Sequence, residues 1–186
     1  MSEENVVVID SRHATQFSAG HIPESISIGL EGSFAMWLGS LIEHLKTPVL
    51  LVTDEGKEAE TALRMARVGY EQVVGYLKGG FDTWKDAGLE QATIGNSCPM
   101  DFKNDMNKKN VLDVRNEAEF SQGHVENAKN MPLHELERDI SVLNKSETYY
   151  LYCQSGYRSV IAASILKRNG FENIVNIKKG YEGIVD

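Results

Sequence analysis

The sequence is poor in cysteine and in long apolar runs. It has two cysteines among 186 residues, too few for a disulfide framework, which indicates a reducing cytoplasm. No apolar stretch approaches the roughly 20 residues of a membrane span, and the acidic start, Met1-Ser2-Glu3-Glu4, lacks the basic and apolar regions of a signal peptide. The net charge of −8 argues against nucleic acid as a partner. We therefore expect a cytoplasmic globular protein that binds neither membranes nor nucleic acids.

The chain does contain a repeat. Five residue pairs share an offset of 103 positions, which indicates a tandem duplication: Asp10/Asp113, Arg12/Arg115, Phe17/Phe120, Gly20/Gly123 and His21/His124. We therefore predict two domains of similar fold, residues 1–95 and 96–186, joined by the polar segment 93–99. Because both copies keep the Asp-x-Arg and Gly-His pairs, we interpret these pairs as structural rather than catalytic.

In the first copy, apolar runs alternate with helical patterns. The predicted strands are 6–9, 49–53 and 73–75, and the predicted helices are 33–45, 57–68 and 81–87. This alternation predicts an α/β fold in which each copy has a mainly parallel sheet with helices on both faces. The second copy has an extra segment, 98–110, long enough for a short strand and a helix. Since the first copy lacks such a segment, either that copy is trimmed or the chain is a fragment, and we expect a fragment whose N-terminal part is missing.

One cysteine stands between a predicted strand and a predicted helix. The run 149–152 is aromatic and typical of a buried strand, and residues 160–168 have helical spacing and end at Asn169-Gly170. Cys153 would then lie in the field of backbone N–H groups at a helix N-terminus, which favours the nucleophilic thiolate. Arg158 adds forked donors suited to an oxyanion. We predict a thiolate that attacks an anionic substrate; the alternative is a small buried core cysteine.

The repeated Asp-x-Arg and Gly-His-[Ile/Val] module, ending in Cys-x4-Arg, resembles the rhodanese family of sulfurtransferases. The resemblance covers nearly the whole chain as two modules. In the second module it is carried by Leu112–Arg115, Gly123–Val125 and the loop Cys153–Ser159. It implies that Cys153 forms a persulfide and that Asp113 and Arg115 lie near the site as structural partners. It also implies a substrate-binding loop made of Gln154, Ser155, Gly156, Tyr157, Arg158 and Ser159.

The first copy has no cysteine in this loop. It reads Leu51-Val52-Thr53-Asp54-Glu55-Gly56-Lys57, and the two acidic residues would repel an anion and cannot form a persulfide. Gly69 follows Asp54 by 15 residues, whereas Gly170 follows Cys153 by 17, so we also expect a shortened loop. The first module should therefore be inactive and the second active.

This pairing of modules resembles two-domain thiosulfate sulfurtransferases. It also resembles the C-terminal part of fusions in which a metallo-β-lactamase-fold persulfide dioxygenase precedes a degenerate and an active rhodanese module. A domain of that fold, absent from this chain, is therefore an expected partner. The five histidines of this chain are scattered at positions 13, 21, 44, 124 and 134, so we predict neither a metal site nor a cofactor.

The resemblance implies a double displacement, with sulfide detoxification as the expected process. The Cys153 thiolate would take the outer sulfur of thiosulfate or a low-molecular-weight persulfide, and then pass it to a thiol, sulfite or cyanide. A non-catalytic partner-binding or persulfide-relay module of a larger protein is the alternative. A phosphatase is a third hypothesis, which the loop disfavours because related phosphatases carry Cys-x5-Arg. We interpret Cys98 as incidental, the alternative being a resolving cysteine that closes a disulfide on Cys153.

Overall fold

The chain folds as two compact units. The computed structural model describes residues 6–105 and 110–186. The units comprise Met1–Thr93 and Ile94–Asp186, so the division falls two residues before the predicted domain boundary. Within the described residues no helix has the length and apolar character needed to cross a membrane.

Unit 1 is built on a four-stranded parallel sheet in the order β2-β1-β3-β4. Its elements in chain order are β1 (Val7–Asp10), α1 (Ala14–Ala19), β2 (Ile26–Ser27), α2 (Phe34–Leu41), β3 (Val49–Val52), α3 (Glu58–Ala66), β4 (Val73–Tyr76) and α4 (Gly80–Asp86). Ile9 and Leu51, on the two central strands, are buried because both faces of the sheet are covered. The helix predicted over 33–45 ends early, since Ile42 is already extended.

Unit 2 has a five-stranded parallel sheet in the order β5-β9-β8-β6-β7. Its first elements are β5 (Gly95–Ser97), α5 (Pro99–Asp105), β6 (Asn110–Asp113), α6 (Glu117–Ser121), β7 (Lys129–Asn130) and α7 (Leu136–Asp139). They are followed by β8 (Tyr149–Tyr152), α8 (Tyr157–Arg168), β9 (Ile174–Ile177) and α9 (Gly180–Val185). Short 3₁₀ turns flank α7 at Leu133–Glu135 and Ile140–Val142. The predicted α/β class with parallel sheets and surrounding helices is confirmed.

The described part of the extra segment, residues 98–105, contains the helix α5, and the edge strand β5 precedes this segment. Phe102 of α5 packs with Ile184 of α9, Tyr152 of β8 and Ile177 of β9 in one buried cluster. Helix α8 is buried almost all round, from Ser159 to Leu166, as expected for a helix in the middle of a domain. The burial of α8 fixes the start of this helix, and hence the loop before it, against the sheet.

Candidate active site

Cys153 follows β8 directly, at the carboxyl end of the sheet of unit 2. Its side chain is buried, and the backbone N–H of Gly156 lies 3.1 Å from its Sγ. The chain reaches that geometry because Gly156 has φ +105°, a left-handed conformation that residues with a Cβ rarely adopt. The turn leads straight into α8, so the thiol faces the helix N-terminus as predicted from the sequence.

A side-chain hydroxyl on α8 also faces the sulfur. The Ser159 Oγ is 3.6 Å from the Cys153 Sγ and 2.7 Å from Oδ1 of Asn176 on β9. Asn176 in turn donates from Nδ2 to Oδ1 of Asn96 on β5, at 3.2 Å. Two strands and one helix thus contribute to one polar chain that ends on the thiol. Neither asparagine was predicted from the sequence, although a polar residue inside the apolar strand 174–177 was a signal for Asn176.

Helix α9 holds the backbone of the loop from the other side. The backbone N–H of Tyr181 donates to the carbonyl oxygen of Cys153 at 2.7 Å, and that of Glu182 donates to the carbonyl of Gln154 at 3.2 Å. Gly180 lies so close to these carbonyls that a side chain would collide with them. The C=O and N–H of a trans peptide point in opposite directions. These bonds therefore turn the N–H groups of the same two peptides, those of Gln154 and Ser155, away from α9.

Arg158, predicted to bind substrate, forms a two-pronged ion pair with Glu119 of α6. Both nitrogen–oxygen distances are 2.7 Å, and the two side chains are only 20% and 28% exposed. The pairing lowers the pKa of Glu119 below its usual range and raises the pKa of Arg158. The nearby Cys153 also raises the pKa of Arg158. Glu119 was not among the predicted site residues, because nothing in the sequence links it to a residue 39 positions away.

Asp113 and Arg115 form a second, buried pair beside the loop. Their closest contact is 2.6 Å, and Arg115 donates further to the backbone carbonyl of Gly123 and to Oε1 of Gln154. Unit 1 has the same arrangement, with Arg12 bonded to Asp10 and to the carbonyl of Gly20. The pair therefore braces the module, and in unit 2 its arginine also reaches the loop.

The remaining loop residues differ in their surroundings. Gln154 donates from Nε2 to Glu182 at 3.1 Å, whereas Ser155 is exposed. Tyr157 is half-buried, and burial raises its pKa to about 12. His21 and His124 make matching contacts in the two units, each with Nδ1 2.9 Å from a carbonyl oxygen four residues earlier.

The corresponding loop of unit 1 is not shortened, so that prediction is wrong: residues 53–57 separate β3 from α3, and residues 153–156 separate β8 from α8. Gly56 (φ +82°) follows the end of β3 by four residues, as Gly156 follows β8. The difference lies in the next helix, where α3 has nine residues and α8 has twelve. The intervals from Asp54 to Gly69 and from Cys153 to Gly170 contain these helices as well as the loops, so their difference does not give the loop length. Thr53, not Asp54, occupies the position of Cys153.

Unit 1 has an open cavity beside this loop. Its volume is about 350 Å³, and its lining includes Arg12, Gly20, Thr53, Asp54, Glu55 and Phe81. Asp54 and Glu55 are exposed at its edge. The pocket thus keeps the arginine of the module, but places carboxylates where the other unit has neutral Gln154 and Ser155.

Cys98 lies just after β5, in unit 2. Its Sγ accepts from the backbone N–H of Asp101 at 3.4 Å, at the start of α5. Strand β9 separates β5 from β8, so the two cysteines stand two strand spacings apart, roughly 9.6 Å. A disulfide needs Cα atoms within about 7 Å, so this geometry does not support Cys98 as a resolving cysteine for Cys153.

Comparison with known proteins shows the family of this chain. Residues 1–87 and 99–186 match the family model of the rhodanese-like domain. The chain belongs to the rhodanese-like family. The protein YqhL of Bacillus subtilis, whose function is uncharacterized, is 37% identical to this rhodanese-like chain over 82 residues, 44% of this chain and 65% of that protein. A sulfurtransferase of Allochromatium vinosum is 31% identical over 70 residues, 38% of this chain and 65% of that protein.

A solved structure is also similar to part of the chain. The crystal structure of a rhodanese-related protein from Thermoplasma volcanium is 28% identical, with a TM-score of 0.47, over 49% of this chain and 90% of that one. The rhodanese-like chain spans less than two thirds of the length of the two curated relatives named above. The chain therefore contains two rhodanese-like domains, one in each compact unit.

Proposed function

We propose that this protein is a sulfurtransferase that carries sulfane sulfur on Cys153. The observation that carries the proposal is a buried thiol that faces both the Gly156 N–H and the Ser159 hydroxyl. Fixed donors around a sulfur atom stabilise negative charge on it without reorganising during the reaction. The similarity to a sulfurtransferase of Allochromatium vinosum supports the same class of chemistry.

The reaction would be a double displacement. With thiosulfate, the Cys153 thiolate attacks the outer sulfur, the sulfur–sulfur bond of the donor breaks, and sulfite leaves with the bonding pair. With a thiol persulfide, the same attack releases the thiolate of the donor, which takes the proton of the new persulfide. An acceptor (thiol, sulfite or cyanide) then attacks the outer sulfur of the Cys153 persulfide and restores the thiolate.

The size of the loop supports sulfur transfer over phosphate chemistry. Six residues run from Cys153 to Arg158, and the Gly156 N–H already lies 3.1 Å from the thiol sulfur. So tight a turn suits a single sulfur atom added to Sγ. Moreover, Arg158 is engaged by Glu119, which leaves the loop less suited to a phosphate dianion.

Unit 1 would be a non-catalytic module. Thr53 stands at the position of Cys153, and the exposed Asp54 and Glu55 beside it disfavour anions. We further propose that the chain works in the cytoplasm in sulfide detoxification, with a metallo-β-lactamase-fold persulfide dioxygenase domain as a partner. The alternative is a relay that receives sulfur on Cys153 only to hand it to such a partner.

Intact-mass measurement tests the function. The whole protein is incubated with thiosulfate or with a small-molecule persulfide, as wild type, Cys153→Ser and Cys98→Ser. We expect wild type and Cys98→Ser to gain one sulfur atom, about 32 Da, that cyanide removes, and Cys153→Ser to gain none. Sulfur on the Cys153→Ser protein, or none on wild type from either donor, would rule the proposal out. Loading without multiple turnover would favour the relay.

A further inference from the structure

Both arginines that border the Cys153 loop are already neutralised by carboxylates. Arg158 is held by Glu119 with two bonds of 2.7 Å, and Arg115 by Asp113 with a closest contact of 2.6 Å. The other charged side chains next to the loop, Lys178, Lys179 and Glu182, are exposed to solvent, which weakens their effect on the sulfur. The donors that face the sulfur are thus the dipoles of an N–H and a hydroxyl, and the two buried or half-buried guanidinium groups beside them are each balanced by a carboxylate.

Such a site suits one negative charge better than two. Dipoles aimed at Sγ can stabilise the single charge that moves along the reacting sulfur atoms. A dianion brings a second charge, which a free guanidinium would balance and a guanidinium paired with a carboxylate does not. Glu119 is therefore placed to set which donors the loop accepts.

We propose that Glu119, by pairing with Arg158, makes the site selective for sulfur donors of low negative charge, the persulfides of small thiols, over the thiosulfate dianion. This inference rests on the sulfur transfer through Cys153 proposed above, and names the donor class for that site. Glu119 acts here as a specificity-determining residue through Arg158, not as a group that contacts the reacting sulfur.

The chain offers a nearly isosteric variant for the test. Glu119→Gln removes the charge but keeps an amide oxygen, so it can still accept the Asn116 N–H that caps α6. Glu117→Gln is the matched control, because Glu117 lies exposed in the first turn of the same helix and loses the same charge. In Glu119→Gln the guanidinium of Arg158 is no longer neutralised.

The experiment compares kcat/KM for thiosulfate and for 2-mercaptoethanol persulfide in the full chain. We expect Glu119→Gln to raise the thiosulfate value by about tenfold, as for the loss of one nearby charge at a partly solvated site, with the persulfide value changed less than about twofold. Inorganic sulfate, a dianion that donates no sulfur, should also inhibit Glu119→Gln more strongly. Glu117→Gln should match wild type in all three measurements.

The outcomes separate the two proposals. An unchanged ratio of the two donors in Glu119→Gln, or an equal shift in Glu117→Gln, would overturn the selectivity inference alone. A fall with both donors would overturn it too, because Glu119 would then be needed for the loop itself. If neither donor loads Cys153 in any of the proteins, the proposed function fails and the inference fails with it.

Discussion

Ser159 has one hydroxyl proton and two acceptors. It can donate to Oδ1 of Asn176 at 2.7 Å or to the Cys153 sulfur at 3.6 Å, but not to both at once. When Cys153 is a neutral thiol, the Ser159 hydroxyl should donate to Asn176, the closer acceptor. When Cys153 is a thiolate or a persulfide anion, its negative charge should attract the hydroxyl proton toward sulfur. Asn176, which is itself hydrogen-bonded to Asn96, holds the Ser159 hydroxyl within reach of the sulfur.

Replacing this hydroxyl tests its part in the chemistry. Ser159→Ala should slow sulfur loading of Cys153 by about 10- to 100-fold. This loss is at or below the lower limit of about 100-fold seen when one charge-stabilising donor is removed, because the contact of Ser159 with sulfur is long. Initial rates of loading by intact mass would measure this. Ser164→Ala is the control, since Ser164 is a buried serine of the same helix that bonds the carbonyl of Ile161. Equal rates in the two variants would contradict the role of Ser159.

At the scale of elements, both units turn from strand to helix through a left-handed glycine. Gly156 has φ +105° and Gly56 has φ +82°, each four residues after its strand. Only in unit 2 does the amide of this glycine reach a sulfur atom. The left-handed glycine therefore has a structural role in unit 1, whereas in unit 2 we propose that it also takes part in the chemistry at Cys153.

Paired glycine substitutions separate these two roles. Gly156→Ala and Gly56→Ala should each destabilise the protein by about 1–2 kcal/mol, the cost of a left-handed residue with a Cβ. Only Gly156→Ala should also slow sulfur loading, because relief of the strain moves the N–H that faces Sγ. Thermal unfolding and loading rates would be measured on both. A comparable loss of loading in Gly56→Ala would show that the effect reflects stability rather than loop geometry.

Sequence reasoning succeeded where the residues of an element or site are close in the chain. Cys153, Gly156 and the start of α8 follow one another, so a strand, a turn and a helix could be predicted together. Glu119, Asn176 and Asn96 could not be connected to the Cys153 loop in this way, because their contacts depend on the strand order β5-β9-β8-β6 and on where α6 packs. The early end of α2 also escaped prediction, since the apolar pattern continues beyond Leu41.

At the scale of the whole molecule, one fold occurs twice with different loop chemistry. Unit 1 keeps the parallel sheet, the Asp10–Arg12 pair and the left-handed glycine. The loop residues themselves differ. Unit 1 has Thr53, Asp54 and Glu55 where unit 2 has the thiol of Cys153 and the neutral side chains of Gln154 and Ser155. Duplication thus preserved the residues that hold the module together more strictly than those of the proposed reaction.

Restoring a thiol to unit 1 tests whether the rest of its loop still supports the reaction. The double variant Thr53→Cys, Cys153→Ser should take up no sulfur from thiosulfate, because Asp54 and Glu55 repel the donor and Ala59 stands where Ser159 would supply a hydroxyl. Intact mass after incubation would show this, with Cys153→Ser alone as the baseline. Sulfur on the introduced thiol would mean that a cysteine is all that unit 1 lacks.

The two bonds from α9 to the loop have a consequence for comparing relatives. The N–H groups of Tyr181 and Glu182 fix the carbonyls of Cys153 and Gln154, so the last helix decides which way the loop peptides face. Two proteins could therefore share every letter from Cys153 to Arg158 and still differ in reactivity, if one had a bulkier residue in place of Gly180. Searches for active members that read only the loop would treat the two as equal, and should include this distant glycine.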